Sequence, residues 1–321
     1  MLKKAGLAVA MSAALIAAAP VSTAATVLTL EGGFVGMQHI WHFVPNQLQG
    51  ELCKSPNHCQ PVDYFAFPGG AFTDQGATKV QQAIARLPAD EQIVLFGHSQ
   101  GGQVVYSDLR RFATDPATAP DPSRLTWVSI GNPENPYGGR RAKTDSSTTP
   151  WLPVDTAYTG TEVIRQYDGW ADWPDDTSNL LAVANAFAGM FAIHTNYRNV
   201  DLDDPNNLRY TPDVAGQPGN VTYVWVPTKT LPLVAWAGPL APTLDKKLRP
   251  IIEAAYHRPV DIPDPHAPAP ASASVSVQSA RSAVALSKTP SAKRAKAGPA
   301  TAKSPTHPKS KGSTASSARR Q

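Results

Sequence analysis

The stretch Ile93 to Val105, IVLFGHSQGGQVV, contains a Gly-x-Ser-x-Gly pattern centred on Ser99. An apolar segment precedes the serine and a glycine-rich helix start follows it, which is the setting of a nucleophile on a strand-to-helix turn. In such a turn the strand and the helix approach so closely that side chains at Gly97 and Gly101 would clash. The pattern and its context predict that Ser99 attacks acyl carbonyl groups.

A nucleophilic serine needs an imidazole that accepts its proton and a carboxylate that orients the imidazole. In this class of turn the chain order is serine, acid, histidine. Asp168 and Asp172 both follow the apolar segment TEVIRQY, and the Gly-x-x-Asp-x-Pro spacing of GWADWP favours Asp172 as the acid. Asp168 is kept as the alternative. His194, in the sequence HTNY, is the candidate base because the other histidines have ordinary structural explanations.

The negative charge that develops on the carbonyl oxygen must be stabilised by N–H donors. The backbone N–H of Gln100, at the start of the helix, is predicted to be one donor. The second donor is expected from the glycine-containing loop EGGFVG after the first strand, as the N–H of Phe34 or Gly33.

The segments around these residues alternate between strand and helix. TVLTLEGG, PVDYFAFPGG, QIVLFGHS, LTWVSIGNP and TEVIRQYD are predicted strands, and DQGATKVQQAIARL and QGGQVVYSDLRRFA are predicted helices. VTYVWVPTKTLPLVAWAGP is expected to be extended and hairpin-like, followed by the amphipathic LDKKLRPIIEAAYHR. This succession predicts an α/β fold with a mostly parallel sheet, helices on both faces and the site at the carboxyl ends of the strands.

The segment TSNLLAVANAFAGMFAI lies between the candidate acids and His194 and is rich in Leu, Ala, Phe and Met. Two interpretations remain open. It is either an ordinary core helix or a partly exposed flap that offers acyl chains an apolar surface beside the mouth of the site.

Composition divides the chain into three parts. Residues 1–25 have the charged start, apolar centre and small-residue end of a secretory signal, and the apolar run is shorter than a spanning helix requires. Residues 26–263 are predicted to form one domain. Residues 264–321 are rich in Ala, Pro, Ser and Lys, and we expect them to be disordered because they offer little apolar area to bury.

Charge follows the same division. The chain carries ten Lys and Arg residues after Pro265 and no acid, whereas residues 26–265 have 17 basic against 25 acidic side chains, a net charge of about −8. The tail is therefore predicted either to contact anionic envelope polymers or lipid headgroups, or to be a solvated linker. No groove-reading motif is present, and nucleic acid is not an expected partner.

Cys53 and Cys59, in CKSPNHC, are the two cysteines of the chain. In an exported protein such a close pair predicts a local disulfide. His58 is the single further ligand nearby, so no metal site is expected, and no cofactor is expected either.

The motifs LTLEGGFVG, GHSQGG, IGNPENPYGG, QYDGWADWP, HTNY and LPLVAWAGP…LRPIIEAAYHR, in this order, resemble the PE-PPE domain of actinobacteria, a cutinase-related serine α/β-hydrolase family. The resemblance covers nearly all of Thr26 to Arg258 and implies esterase activity on acyl esters. For some relatives it implies acyl transfer in trehalose-lipid assembly. The chain has Phe34 where a threonine is usual in the family.

Three functions are therefore considered. The leading one is a secreted serine esterase or lipase that acts on acyl esters through Ser99, His194 and an aspartate. The second is an acyltransferase that passes the same acyl group to a trehalose-type glycolipid. The third is a non-catalytic envelope protein, against which the ordered serine, acid and histidine argue.

Overall fold

A computed structural model describes residues 24–33, 42–67, 69–145 and 155–266 of the chain. Nearly all of the predicted signal and nearly all of the predicted tail lie outside these residues. The described residues belong to one compact unit.

The described part of the chain contains nine β-strands. They are β1 (Ala25–Leu30), β2 (His58–Pro61), β3 (Gln92–His98), β4 (Leu125–Ile130), β5 (Gly160–Arg165), β6 (Leu208–Tyr210), β7 (Asp213–Val214), β8 (Gln217–Pro218) and β9 (Val221–Val226). Seven of them form one sheet in the order β2-β1-β3-β4-β5-β9-β6, and β7 pairs with β8 in a separate ribbon.

The seven-stranded sheet is parallel except for its edge strand β6, which pairs antiparallel with β9. The central strand β3 lies between β1 and β4, with Val94 opposite Val27 and Thr126. Successive parallel strands need crossover connections, which place helices against the sheet. The predicted α/β-hydrolase fold class is confirmed.

The described part contains five α-helices. They are α1 (Gly70–Ile84), α2 (Gln100–Thr114), α3 (Arg140–Thr144), α4 (Leu180–Ala192) and α5 (Ala241–Glu253), with short 3-10 segments at Val44–Asn46, Leu48–Cys53, Pro232–Val234 and Gly238–Leu240. The packed pair α1 and α2 buries one apolar face of the sheet. Val44, Leu48, Tyr197 and Val200 pack on the other face. No helix among the described residues is long and apolar enough to cross a bilayer.

Two predicted extended segments differ from the structure. The strand expected in PVDYFAFPGG lies earlier, since β2 ends at Pro61 and the backbone pairing with β1 ends one residue later, where the N–H of Val62 donates to Thr29 O. In the segment expected to be hairpin-like, the strand ends at Val226. Pro232 and Pro239 then occupy 3-10 turns, because a proline lacks the N–H that a strand would use.

The predicted disulfide between Cys53 and Cys59 is confirmed. It links the 3-10 segment that ends at Cys53 to the edge strand β2. The bridge therefore fixes a surface turn at the rim of the sheet.

Candidate active site

Ser99 lies on the turn between the end of β3 and the start of α2. Its backbone has φ 56° and ψ −114°, a combination that a residue with a side chain rarely adopts and that costs conformational energy. The turn also brings chain segments into direct contact. A Cβ atom on Gly97 would lie 2.4 Å from the carbonyl carbon of Gly101, and a Cβ atom on Gly101 would lie 2.1 Å from Leu30 O. The two glycines are therefore required by the packing of β1, β3 and α2.

His194 bridges Ser99 and an aspartate. Its Nε2 lies 2.8 Å from Ser99 Oγ, and its Nδ1 lies 2.9 Å and 3.0 Å from the two carboxylate oxygens of Asp168. An ionised carboxylate can only accept, so Nδ1 carries a hydrogen that it donates to Asp168. When Nε2 carries no hydrogen, it accepts the hydrogen of the Ser99 hydroxyl.

Asp168 is fully buried and remains surrounded by donors. Burial alone would raise its pKa, but the His194 ring and hydrogen bonds from His194, Tyr197 and the Trp170 N–H hold the pKa below its usual value. The Tyr197 hydroxyl donates to Asp168 Oδ2 at 2.8 Å, and the Trp170 N–H donates to Oδ1 at 3.0 Å. The site therefore keeps Asp168 ionised next to the imidazole.

The preference for Asp172 as the acid is corrected by this geometry. Its carboxylate accepts two hydrogen bonds from the Arg258 guanidinium, at 2.9 Å and 2.7 Å, and one from the Tyr167 N–H at 2.7 Å. Tyr167, which precedes both aspartates, has φ 67°. Asp172 consequently closes the loop that carries Asp168, and His194 contacts Asp168 alone of the two.

The NPENPYGG segment and Arg140, which directly follows it, form hydrogen bonds with the same loop. Asn135 Nδ2 donates to Ala171 O at 2.8 Å, and the Trp173 N–H donates to Gly138 O at 2.7 Å. The Arg140 N–H donates to Trp170 O at 2.8 Å. Backbone groups of the loop are thereby paired, which restricts the position of Asp168.

His98 is a site residue that the sequence did not reveal. Its Nε2–H donates to the carbonyl oxygen of His194 at 2.8 Å, and the two rings lie 4.8 Å apart. Burial lowers the pKa of His98 to about 3, so the ring is neutral. Placed directly before Ser99 in β3, His98 joins the serine turn to the histidine loop.

Tyr197 is the second such residue, and its place in HTNY, three residues after His194, was the available signal. Its hydroxyl donates to Asp168 and accepts from the Arg165 N–H at 3.1 Å. It therefore ties the acid to the end of β5.

The structure describes one of the two predicted sources of oxyanion donors fully and the other only in part. Gln100 is the first residue of α2, where a helix leaves its N–H groups without intrahelical partners. Gly32 approaches the turn so closely that a Cβ atom would lie 3.1 Å from Ser99 Cβ, which places the loop after β1 beside Ser99. Gly33 is the last residue described before residues 34–41, and Phe34 lies outside the described residues. The second donor stays a prediction.

Within the described ranges, no group of three or more His, Cys, Asp or Glu side chains is arranged to hold a metal ion. The polar groups around Ser99 are instead hydrogen-bonded to one another, as the contacts of His194, Asp168, Tyr197 and His98 show.

A serine, histidine and aspartate in hydrogen-bonded series, at the carboxyl edge of a mostly parallel sheet, define the class of α/β-hydrolases with a serine nucleophile turn. Within this class the chain belongs to the PE-PPE domain family, whose model matches residues 48–257.

Three relatives from Mycobacterium tuberculosis (strain ATCC 25618 / H37Rv) illustrate the family. The chain is 34% identical over 213 residues to "Esterase PE16", covering 60% of this chain and 39% of that protein. It is 31% identical over 227 residues to "PE family protein PE3", with 64% and 48% covered. It is 33% identical over 187 residues to "Diacyltrehalose acyltransferase Chp2", with 50% of each covered. The chain thus spans half or less of the length of these relatives.

Proposed function

We propose that the protein is a serine esterase that hydrolyses carboxylic esters of acyl chains, with Ser99 as nucleophile, His194 as general base and acid, and Asp168 as the residue that orients His194. The single observation that carries this proposal is the continuous series from Ser99 Oγ through both ring nitrogens of His194 to the Asp168 carboxylate. The 34% identity to a protein named an esterase supports it.

The chemistry follows from the placement of the protons. Ser99 Oγ attacks the carbonyl carbon while its hydrogen moves to His194 Nε2, and the resulting imidazolium is stabilised by Asp168. The N–H of Gln100 and one from the loop after β1 stabilise the oxyanion. The tetrahedral intermediate breaks its bond to the alcohol oxygen, which takes the proton from Nε2, and the acyl group remains on Ser99.

Water then completes the reaction. It attacks the acyl carbon and gives one proton to His194 Nε2. The second tetrahedral intermediate releases the carboxylic acid, and the proton returns to Ser99 Oγ. Each step uses the same imidazole in alternating roles, which is why its orientation by Asp168 matters.

Hydrolysis of p-nitrophenyl butyrate by matched variants tests the proposal. Ser99→Ala should lower kcat at least about 10³-fold, because the three residues act as a unit. Ser123→Ala, at an exposed serine in the turn before β4, should leave kcat unchanged. Activity of Ser99→Ala equal to that of the parent protein would rule out the assignment.

Acyl transfer is the second candidate, because the chain is 33% identical to a protein named a diacyltrehalose acyltransferase. The same acyl group on Ser99 would then be attacked by an alcohol in place of water, with the alcohol proton passing to His194 Nε2. Product analysis with and without trehalose separates the two. Formation of acyl-trehalose at the expense of free acid would favour transfer, and unchanged release of acid would favour hydrolysis.

We also propose that the protein is exported. The signal-like residues 1–25 and the Cys53–Cys59 disulfide support this, since disulfides persist in oxidising compartments. Appearance of the processed protein in the culture medium or the envelope fraction of the source cells would agree with export. Retention of an unprocessed chain in the cytosol would contradict it.

A further inference from the structure

An apolar surface lies on the outer side of α4 and of the 3-10 turns before α5. Every exposed side chain of α4 is apolar, and its single polar residue, Asn185, is buried. Phe191 and Trp236 are 83% and 85% exposed. We call the following residues the apolar surface: Leu180, Leu181, Phe187, Phe191, Trp236 and Leu240. Exposure of large apolar side chains at this density marks an interaction site more often than an ordinary solvated face.

The apolar surface is held in a fixed form. Asn185 Oδ1 accepts the N–H of Leu233 at 3.0 Å, which fastens the 3-10 segment Pro232–Val234 to α4. The indole N–H of Trp236 donates to Leu233 O at 2.8 Å. The polar atom of this exposed tryptophan is therefore satisfied within the protein. The ring can enter an apolar medium without losing a hydrogen bond to water.

The apolar surface borders the site. α4 packs directly on the loop of Asp168, since a Cβ atom on Gly189 would lie 1.8 Å from Tyr167 O. The next aromatic residue of that loop, Trp170, has its ring 6.2 Å from the His194 ring. The helix ends two residues before His194. A body that covers α4 consequently reaches the edge of the Ser99 site.

The basic residues of α5, and those in the sequence that continues after it, favour an anionic partner. Lys246 and Lys247 are exposed on α5, whose Asp245 contacts His266, the last described residue, with 2.7 Å between His266 Nε2 and Asp245 Oδ1. The chain beyond His266 carries ten Lys and Arg residues and no acid. Such clusters attract anionic headgroups. Two acids precede α4. Asp175 Oδ1 lies 2.8 Å from Lys143 Nζ, and Asp176 accepts hydrogen bonds from the N–H and the hydroxyl of Ser178.

We propose that the apolar surface docks the protein onto the surface of an anionic lipid aggregate, with the side chains of Phe187, Phe191 and Trp236 inserted among the acyl chains. This inference deepens the proposed esterase function and rests on it for its purpose, because docking would present ester lipids to Ser99. A lipid surface is favoured over a second copy of the chain because a second copy on α4 would cover the edge of the site without supplying substrate.

The test measures binding without hydrolysis. Ser99→Ala protein is mixed with sedimenting vesicles of phosphatidylcholine and phosphatidylglycerol, and the bound fraction is measured at low salt and at about 1 M salt. Introducing Phe187→Gln and Phe191→Gln together should lower the partition coefficient at least about tenfold, because the lost transfer of two phenyl rings is large. Phe65→Gln is the matched control, since Phe65 is 43% and Phe187 46% exposed, and Phe65 lies before α1.

A second variant guards against misfolding. Trp236→Gln changes the other segment of the apolar surface and should also weaken binding. When the same substitutions are made in protein that retains Ser99, both variants should hydrolyse soluble p-nitrophenyl acetate at the parental rate. The parent protein should bind pure phosphatidylcholine vesicles more weakly than vesicles that contain phosphatidylglycerol. At high salt the two kinds of vesicle should bind it equally.

Three results would overturn the proposal: binding by the variants equal to that of the parent, no binding by the parent, or a concentration-dependent dimer that the variants abolish. A protein that binds vesicles yet hydrolyses no ester would overturn the proposed function and leave the docking surface standing.

Discussion

Two aspartates four residues apart, Asp168 and Asp172, are both buried and occupy different chemical settings. Asp168 faces an imidazole that also contacts Ser99 Oγ. Asp172 faces the Arg258 guanidinium, which is permanently charged and contacts both of its oxygens. The first partner can gain and lose a proton, whereas the second cannot.

In the proposed mechanism this difference explains why Asp168, and not Asp172, orients His194. Asp172 accepts two hydrogen bonds from Arg258 and one from the Tyr167 N–H. Both of its carboxylate oxygens are therefore bonded to groups that stabilise the fold. Asp168 is also well bonded, but it bonds to a ring whose other nitrogen contacts Ser99 Oγ. Burial and charge alone are therefore poor indicators, and the partner determines the role.

Replacing the acid should have the largest effect on turnover. Asp168→Asn should lower kcat for p-nitrophenyl esters by about 10³- to 10⁴-fold, because an amide no longer selects the ring tautomer with the hydrogen on Nδ1. The folded fraction, followed by near-ultraviolet circular dichroism, serves as control. If Asp168→Asn lowered kcat less than Asp172→Asn does, Asp172 would be the acid and the comparison would be reversed.

Replacing the structural aspartate should mainly change stability. Asp172→Asn should lower the free energy of unfolding by about 3 kcal/mol, since it leaves the buried Arg258 with Glu253 as its remaining acidic partner. Urea denaturation measures this change. Turnover per folded molecule should stay within about tenfold of the parent, because Asp172 contacts neither His194 nor Ser99. Full stability with lost turnover would contradict this role.

The buried imidazole of His98 should make the free energy of unfolding depend on pH. His98 has a folded pKa of about 3 against an ordinary value of 6.5, so the unfolded chain binds the extra proton between these values. The contribution of His98 to stability is therefore complete above about pH 6.5 and is lost as the pH falls, by up to about 1.4 kcal/mol per pH unit. His98→Gln should flatten this slope in urea denaturation between pH 4 and 7, whereas His58→Gln, at an exposed histidine of β2, should retain it. An unchanged slope in His98→Gln would refute the assignment.

Removing one hydroxyl should have the smallest effect. Tyr197→Phe deletes the hydrogen bond to Asp168 Oδ2 and should lower kcat by about tenfold or less, because the Nδ1–H of His194 and the Trp170 N–H still contact the acid. The pH profile of kcat/KM should move as well, since Asp168 loses a donor that lowers its pKa. A change in stability with an unchanged profile would make Tyr197 merely structural.

Residues fixed by local rules were predictable from the sequence. The alternation of apolar segments and helices predicted the mostly parallel sheet, and Gly97 and Gly101 placed Ser99 on its turn. The chain order of the class indicated His194. These predictions needed only short-range patterns and the general architecture of the fold.

Residues fixed by long-range contacts were not predictable in this way. The choice between Asp168 and Asp172 depends on Arg258, which lies 86 residues from Asp172 in the chain. His98 acts through the carbonyl of His194, and no spacing rule relates the two. A hydrogen bond between distant segments leaves no local pattern, so the acid was assigned by a motif that in this fold serves the loop instead.

Labelling with a fluorophosphonate probe, followed by peptide mapping, tests the central claim most directly, because the probe reacts only with an activated hydroxyl. We predict one adduct, on the peptide that contains Ser99. We expect it to form much more slowly in Asp168→Asn, at near-parental rate in folded Asp172→Asn, and not at all in Ser99→Ala. An adduct on another residue, or labelling that persists in Ser99→Ala, would contradict the account.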